Sequence, residues 1–152
     1  MMQEKFGTRT EALIGHDGTR ALESAAVLVC GLGGVGGYAL EALARAGVGR
    51  LGLLDGDVVE ESNLNRQILA TTRTVGMKKT QAGKERVLSV NPGCVVETYD
   101  LFYLPATADE VELSRDDWVI APVDTVAAPV QLISPAQAPT VTTVGPTGTG
   151  TK

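Results

Sequence analysis

Ala26-Val-Leu-Val-Cys-Gly-Leu-Gly-Gly-Val-Gly36 decides how the chain folds: five apolar residues run straight into a glycine-rich turn. A short apolar run bounded by glycine is the signature of a buried parallel strand, and the good helix formers from Gly37 to Ala46 predict a helix directly after the turn. Gly31, Gly33 and Gly36 keep the G-x-G-x-x-G spacing. That spacing lets the chain reverse tightly, brings bare backbone N–H groups up to a phosphate, and packs helix on strand. Arg50-Leu-Gly-Leu-Leu-Asp55 then predicts a second strand whose terminal carboxylate stands where a nucleotide fold binds ribose.

Outward from this unit, strand and helix alternate. Residues 8 to 24 predict a leading helical segment that packs through Leu13, Ile14, Leu22 and Ala21 and is interrupted by Gly15 and Gly18. Ser62 is a candidate N-cap for a short helix carrying Asn63, Arg66 and Gln67. Thr74-Val-Gly-Met-Lys-Lys79 leads into a helix that ends near Val90, because Pro92 disfavours helical geometry at Asn91. Val95 to Tyr99 and Trp118-Val-Ile120 read as further strands, with a capping box at Thr107-Ala-Asp-Glu110 between them and a last strand within Thr140 to Val144. The expected fold is α/β and Rossmann-like, a mostly parallel sheet covered by helices on both faces, with ligands held at the carboxyl ends of the strands.

At 152 residues and 43% hydrophobic content the chain suits one core, so a single nucleotide-binding domain over residues 1–152 is expected. A net charge of −5 excludes the broad basic face of a free-standing nucleic-acid binder. No apolar stretch is long enough for a membrane span, and Met-Met-Gln-Glu-Lys5 lacks a signal-peptide core, which points to the cytoplasm. Cys30 and Cys94 do not have the C-x-x-C pairing of a zinc or redox site and are read as inert thiols; His16, with no identifiable partner, is read as an exposed loop residue.

Arg66, Lys79 and Asp124 decide between ligands. A dehydrogenase has little use for two cations and a late carboxylate around its nucleotide. Opening ATP between its α- and β-phosphates needs cations against the developing pyrophosphate charge and a carboxylate to hold Mg²⁺. ATP is therefore favoured over NAD, with an NAD- or FAD-binding oxidoreductase as the alternative.

Gly31-Leu-Gly-Gly-Val-Gly36, Leu54-Asp-Gly-Asp57, Ser62-Asn-Leu-Asn-Arg-Gln67, Val75-Gly-Met-Lys-Lys79, Asn91-Pro92 and Asp124, in this order and at these spacings, resemble the ThiF/MoeB/HesA group of adenylating enzymes, relatives of the ubiquitin-activating enzymes. Within that group Arg9-Thr-Glu-Ala-Leu-Ile-Gly15, Glu41-Ala-Leu-Ala-Arg-Ala-Gly-Val-Gly49 and Val123-Asp-Thr-Val126 are most similar to the bacterial tRNA threonylcarbamoyladenosine dehydratases. The resemblance implies that Gly34 packs against the nucleotide, Asp55 holds the ribose hydroxyls, Asn63 and Arg66 contact the phosphates, Lys79 stabilises the pyrophosphate leaving group, and Asp124 binds Mg²⁺. It further implies that Arg9 reaches a neighbouring subunit's ATP site, hence a homodimer. The implied chemistry is adenylation of a carboxylate, either the threonyl group of the modified tRNA base, followed by ring closure, or the C-terminal glycine of a ubiquitin-like sulfur carrier protein. A non-catalytic nucleotide-binding fragment is the third reading.

The resemblance covers residues 8–126 and then weakens. Ala121 stands where the group has an acidic residue, with Pro122 after it, and Pro129 falls where the group continues into a helix. Gly148-Thr-Gly-Thr-Lys152 is similar to a later glycine-rich turn of the group, so the chain is expected to correspond to the N-terminal half of such a protein.

Overall fold

The computed structural model describes residues 6–102, 117–121 and 142–144. In chain order these form helix α1 (Thr8–Ser24), strand β1 (Ala26–Cys30), helix α2 (Gly36–Ala46), strand β2 (Arg50–Leu54), a 3-10 turn (Glu61–Asn63), helix α3 (Lys79–Val90) and strands β3 (Val95–Tyr99), β4 (Asp117–Ile120) and β5 (Thr142–Val144). The strands make one five-stranded sheet in the order β3-β2-β1-β4-β5, and every pairing is parallel. The fold is α/β and Rossmann-like. β2 and β3 are laid down on one side of β1, β4 and β5 on the other, so the strand order reverses between β1 and β4. In open parallel sheets that reversal opens a crevice at the carboxyl ends of the two strands. Gly31 follows β1 directly into it.

Alternation along each strand sorts the core into two layers. Val27, Val29, Leu51, Leu53 and Val96 point to the face on which α2 and α3 lie, where they meet Leu40, Ala44 and Val87. Leu28, Cys30, Leu54, Val119 and Ala121 form a second cluster on the opposite face, against which Tyr99 and Leu101 pack among the described residues. Strands buried on both faces account for the unbroken apolar runs of the sequence. Close approach also explains two glycines. A Cβ on Gly83 of α3 would press on Leu53, Leu40 and Leu32, and one on Gly49 would fall 1.8 Å from the carbonyl oxygen of Glu23.

α2 ends as a left-handed cap at Gly47 (φ 92°), and α3 ends at Val90 with Asn91 at φ −127° and ψ 83°, as the proline after it demands. The two helices are clamped by Glu41, whose carboxylate accepts from Arg86 Nε and Nη2 (2.7 and 2.8 Å) and from Arg45 Nε (2.8 Å). Chiefly through the Arg86 hydrogen bonds, the Glu41 carboxyl is held below its ordinary value of 4.5. A depressed carboxylate contributes stability that is complete above its unfolded value and fades as the pH falls through the folded one. Both arginines are more than one-third exposed, so Glu41→Gln should cost about 1 kcal/mol at neutral pH. Urea unfolding of variant and wild type should converge as the pH drops below 4.5.

Several sequence expectations change at the edges. α1 buries none of its residues: Leu13 and Ile14 are exposed (85% and 44%), and of the four expected packing residues only Leu22 reaches the core. Gly15 does break the helix (φ 76°, ψ 173°), whereas Gly18 stays helical and leaves room for Ile14 against it. His16 is exposed as expected but lies on α1 rather than in a loop, 3.4 Å from Glu11. The cap of the turn after β2 is Glu60, not Ser62, because Asn63 Oδ1 accepts the Glu60 N–H at 3.0 Å while the Glu60 side chain returns the bond. Burial pushes the Cys30 thiol up to about 12 and raises that of Cys94, which leaves both without thiolate character. The expected capping box at residues 107–110 lies outside the described residues.

Candidate functional site

The glycine turn is locked to the end of β2 by one carboxylate. Asp55 Oδ2 accepts the N–H of Leu32 and Oδ1 that of Asp57, both at 2.8 Å. Below them the Gly31 N–H donates to the Leu54 carbonyl (2.7 Å). Gly31 itself has φ 93°, a left-handed conformation that a side chain would strain. Beyond it, a Cβ on Gly34 would meet nothing within 4 Å, and one on Gly33 only the Gln67 amide nitrogen at 3.9 Å. Gly36 is buried at the start of α2, where the first N–H groups of a helix have no partner within the helix. The turn thus presents open backbone at a helix N-terminus, an arrangement that attracts anions.

On the far side of the Asp55 loop stands Lys79, the first residue of α3. It is one of four buried polar or charged residues among the described residues, 7% exposed, and its Nζ lies 3.7 Å from Asp57 Oδ2. Its main-chain N–H donates to the Asp57 carbonyl at 3.0 Å, and the neighbouring Lys78 pairs as an isolated bridge with Val58. Lysine is seldom buried this deeply without an anion to face. The Asp55-Gly-Asp57 segment therefore joins the glycine turn on one side to the lysine on the other.

The segment after the 3-10 turn closes over the glycine turn. Gln67 is buried beside Gly33, and a Cβ on Gly37 would crowd Ile68 at 3.1 Å. Asn63 is buried (6%), with its carbonyl oxygen already used on Glu60. Arg66 is exposed, and its guanidinium donates to the Ser62 carbonyl (2.9 Å) and the Asn65 side chain (3.0 Å). Arg9 is exposed on α1. Asp124 lies outside the described residues, although β4 carries the chain to Ala121 at the lip of the crevice. Among the described residues no group of three or more His, Cys, Asp or Glu could hold a metal ion. Sequence reasoning does not single out Asp57 and Gln67 as site residues. Asp57 is legible only as the second acid of Asp-Gly-Asp, and Gln67 gives no sign in the sequence that it is buried.

Compared with known proteins, residues 8–146 match the ThiF family. The chain belongs to the ThiF family. Among its relatives in this family, tRNA threonylcarbamoyladenosine dehydratase of Bacillus subtilis is 40% identical over 126 residues, covering 83% of this chain and 50% of that protein. The adenylyltransferase and sulfurtransferase UBA4 of Eremothecium gossypii is 47% identical over 102 residues, 67% of this chain and 23% of that protein. A solved structure of the Escherichia coli tRNA N6-threonylcarbamoyladenosine dehydratase in complex with ATP superposes with a TM-score of 0.81 at 34% identity, covering 94% of this chain and 58% of that one. The chain spans about half the length of the curated dehydratases it matches.

Proposed function

We propose that this ThiF-family chain is the ATP-binding part of an adenylating enzyme, and that the carboxylate it activates is the threonyl group of tRNA threonylcarbamoyladenosine. The observation that carries the reading is the join at Asp55-Gly-Asp57, with open glycine backbone on one side and a buried lysine on the other. Each oxygen of Asp55 accepts one backbone N–H and keeps a second lone pair for a ribose hydroxyl. A nucleotide so held lays its phosphates on Gly33, Gly34 and the N-terminus of α2. The attacking carboxylate oxygen forms a bond to the α-phosphorus, the α–β bridge breaks, and pyrophosphate leaves against Lys79 and Arg66. Asn63 orders the turn that carries Arg66. The carbamoyl group of the same modified base then bonds to the acyl carbon, which closes the ring and expels AMP. Mg²⁺ would neutralise the phosphates, held by Asp124 together with the phosphate oxygens, since magnesium at such sites needs only one or two carboxylates.

α1 has no fully buried residue and leaves Leu13 and Ile14 exposed, which suits a helix that carries Arg9 to a second subunit in a homodimer. The reading goes with a cytoplasmic location and a single adenylation domain. It is also consistent with the described helices, none of which is long and apolar enough to cross a membrane. The likeness to UBA4 favours a second substrate, the C-terminal glycine of a ubiquitin-like carrier. AMP formation from ATP, followed with modified tRNA and with carrier protein in parallel, separates the two. Stimulation by threonylcarbamoyl-modified tRNA is expected. Stimulation by the carrier alone would transfer the function to the second reading, and AMP from neither would leave a nucleotide-binding fragment.

A further inference from the structure

α3 begins with the residue that matters most to the reading above and yet has no cap of its own. Its N-cap position is Lys78, whose side chain cannot accept a hydrogen bond, and no side-chain cap is made. First turns left this way tend to fray. A brace comes instead from the residue that follows β3, and it acts through side chains. Asp100, directly after β3, accepts from Lys78 Nζ through Oδ2 at 2.8 Å and from Thr80 Oγ1 through Oδ1. Lys78 and Thr80 are the two neighbours of Lys79, and Thr80 is 1% exposed. A single carboxylate thus holds the side chains on both sides of Lys79, while the Lys79 N–H is held on the Asp57 carbonyl.

We propose that Asp100 is a positioning residue for Lys79: by fixing the uncapped first turn of α3 it sets the height and direction of the ammonium group facing the β- and γ-phosphates. The proposal rests on the reading that Lys79 meets the departing pyrophosphate. Lys78 first, and then Thr80, hold the Asp100 carboxyl below its ordinary value, so the grip is ionic at neutral pH. A negative charge at a helix N-terminus is favourable in its own right. The side chains of Lys78 and Asp100 are 62% and 40% exposed, which makes the pair a weak contributor to global stability; its effect is local.

Two measurements test this separately. Hydrogen exchange should show faster opening of the Lys79 and Ala82 amides, which donate to the Asp57 and Lys78 carbonyls, in Asp100→Ala, with Val87 unchanged; unaltered protection at residues 79 and 82 would overturn the brace whether or not ATP binds. Calorimetry should show the same variant binding Mg·ATP about tenfold more weakly while AMP, which has no β- or γ-phosphate, binds within twofold of wild type. Thr80→Val should repeat the pattern, and Asp100→Asn, which keeps an acceptor for Thr80, should recover part of the loss. Equal losses for ATP and AMP, or none for either, would overturn the positioning role. Failure of the wild-type protein to bind Mg·ATP would instead reject the proposed function. Glu97→Gln on β3 cuts the ion pair to Arg50 of β2 and serves as the control, leaving both affinities unchanged.

Discussion

Asp55→Ala should lose about 100-fold in Mg·ATP affinity, about 2.7 kcal/mol, and part of its folding stability with it. The carboxylate holds two backbone N–H groups, those of Leu32 and Asp57, and in the proposed complex adds the ribose hydroxyls. Its removal frees the glycine turn from β2 and leaves the partly buried Leu32 amide without an acceptor, which costs about 1–3 kcal/mol. Asp55→Asn separates the two roles. Its amide oxygen can still accept one N–H, but its NH₂ opposes the other, so stability should recover further than affinity does. Calorimetry and denaturant unfolding on the same preparations read both. Unchanged ATP affinity in Asp55→Ala would remove Asp55 from the nucleotide site.

Lys79→Met should slow pyrophosphate release about 10²- to 10³-fold, the loss expected when a preorganised charge aimed at a developing anion is removed. Methionine replaces the apolar stem in shape and omits the ammonium, whose Asp57 partner is 3.7 Å away. Unfolding stability should therefore hold, because a buried charge with a distant partner contributes little net stabilisation. AMP affinity should also hold. ATP–pyrophosphate exchange under saturating ATP measures the first effect, and thermal unfolding the second. Loss of stability without loss of exchange would reverse the assignment and make Lys79 a structural residue.

How far the sequence reveals this arrangement depends on the range of the interactions. Ala26–Cys30, Arg50–Leu54 and Val95–Tyr99 are legible because strands buried on both faces need apolar runs, and their boundaries are set by glycine, Asp55 and Pro92. The turn at Gly31 is legible because only glycine suits its φ of 93°. α1 is harder: helical periodicity shows that Leu13 and Ile14 have a face in common, but not whether that face meets the sheet, and here it does not. The cap is hidden for a similar reason: Ser62 and Glu60 are both plausible acceptors, and the reciprocal bond from Asn63 selects Glu60. Asp57 against Lys79 and Asp100 against Thr80 join residues 22 and 20 positions apart, with no local pattern to announce them. Asp124, the expected Mg²⁺ carboxylate, falls outside the described residues.

The most direct measurement is a crystal structure of the protein soaked or grown with Mg²⁺ and a non-hydrolysable ATP analogue. The account requires the ribose hydroxyls on Asp55, the α-phosphate against the amides of Gly33 and Gly34, and the β- or γ-phosphate within hydrogen-bond reach of Lys79 Nζ. A nucleotide seated elsewhere, or one whose phosphates point away from Lys79, would contradict it.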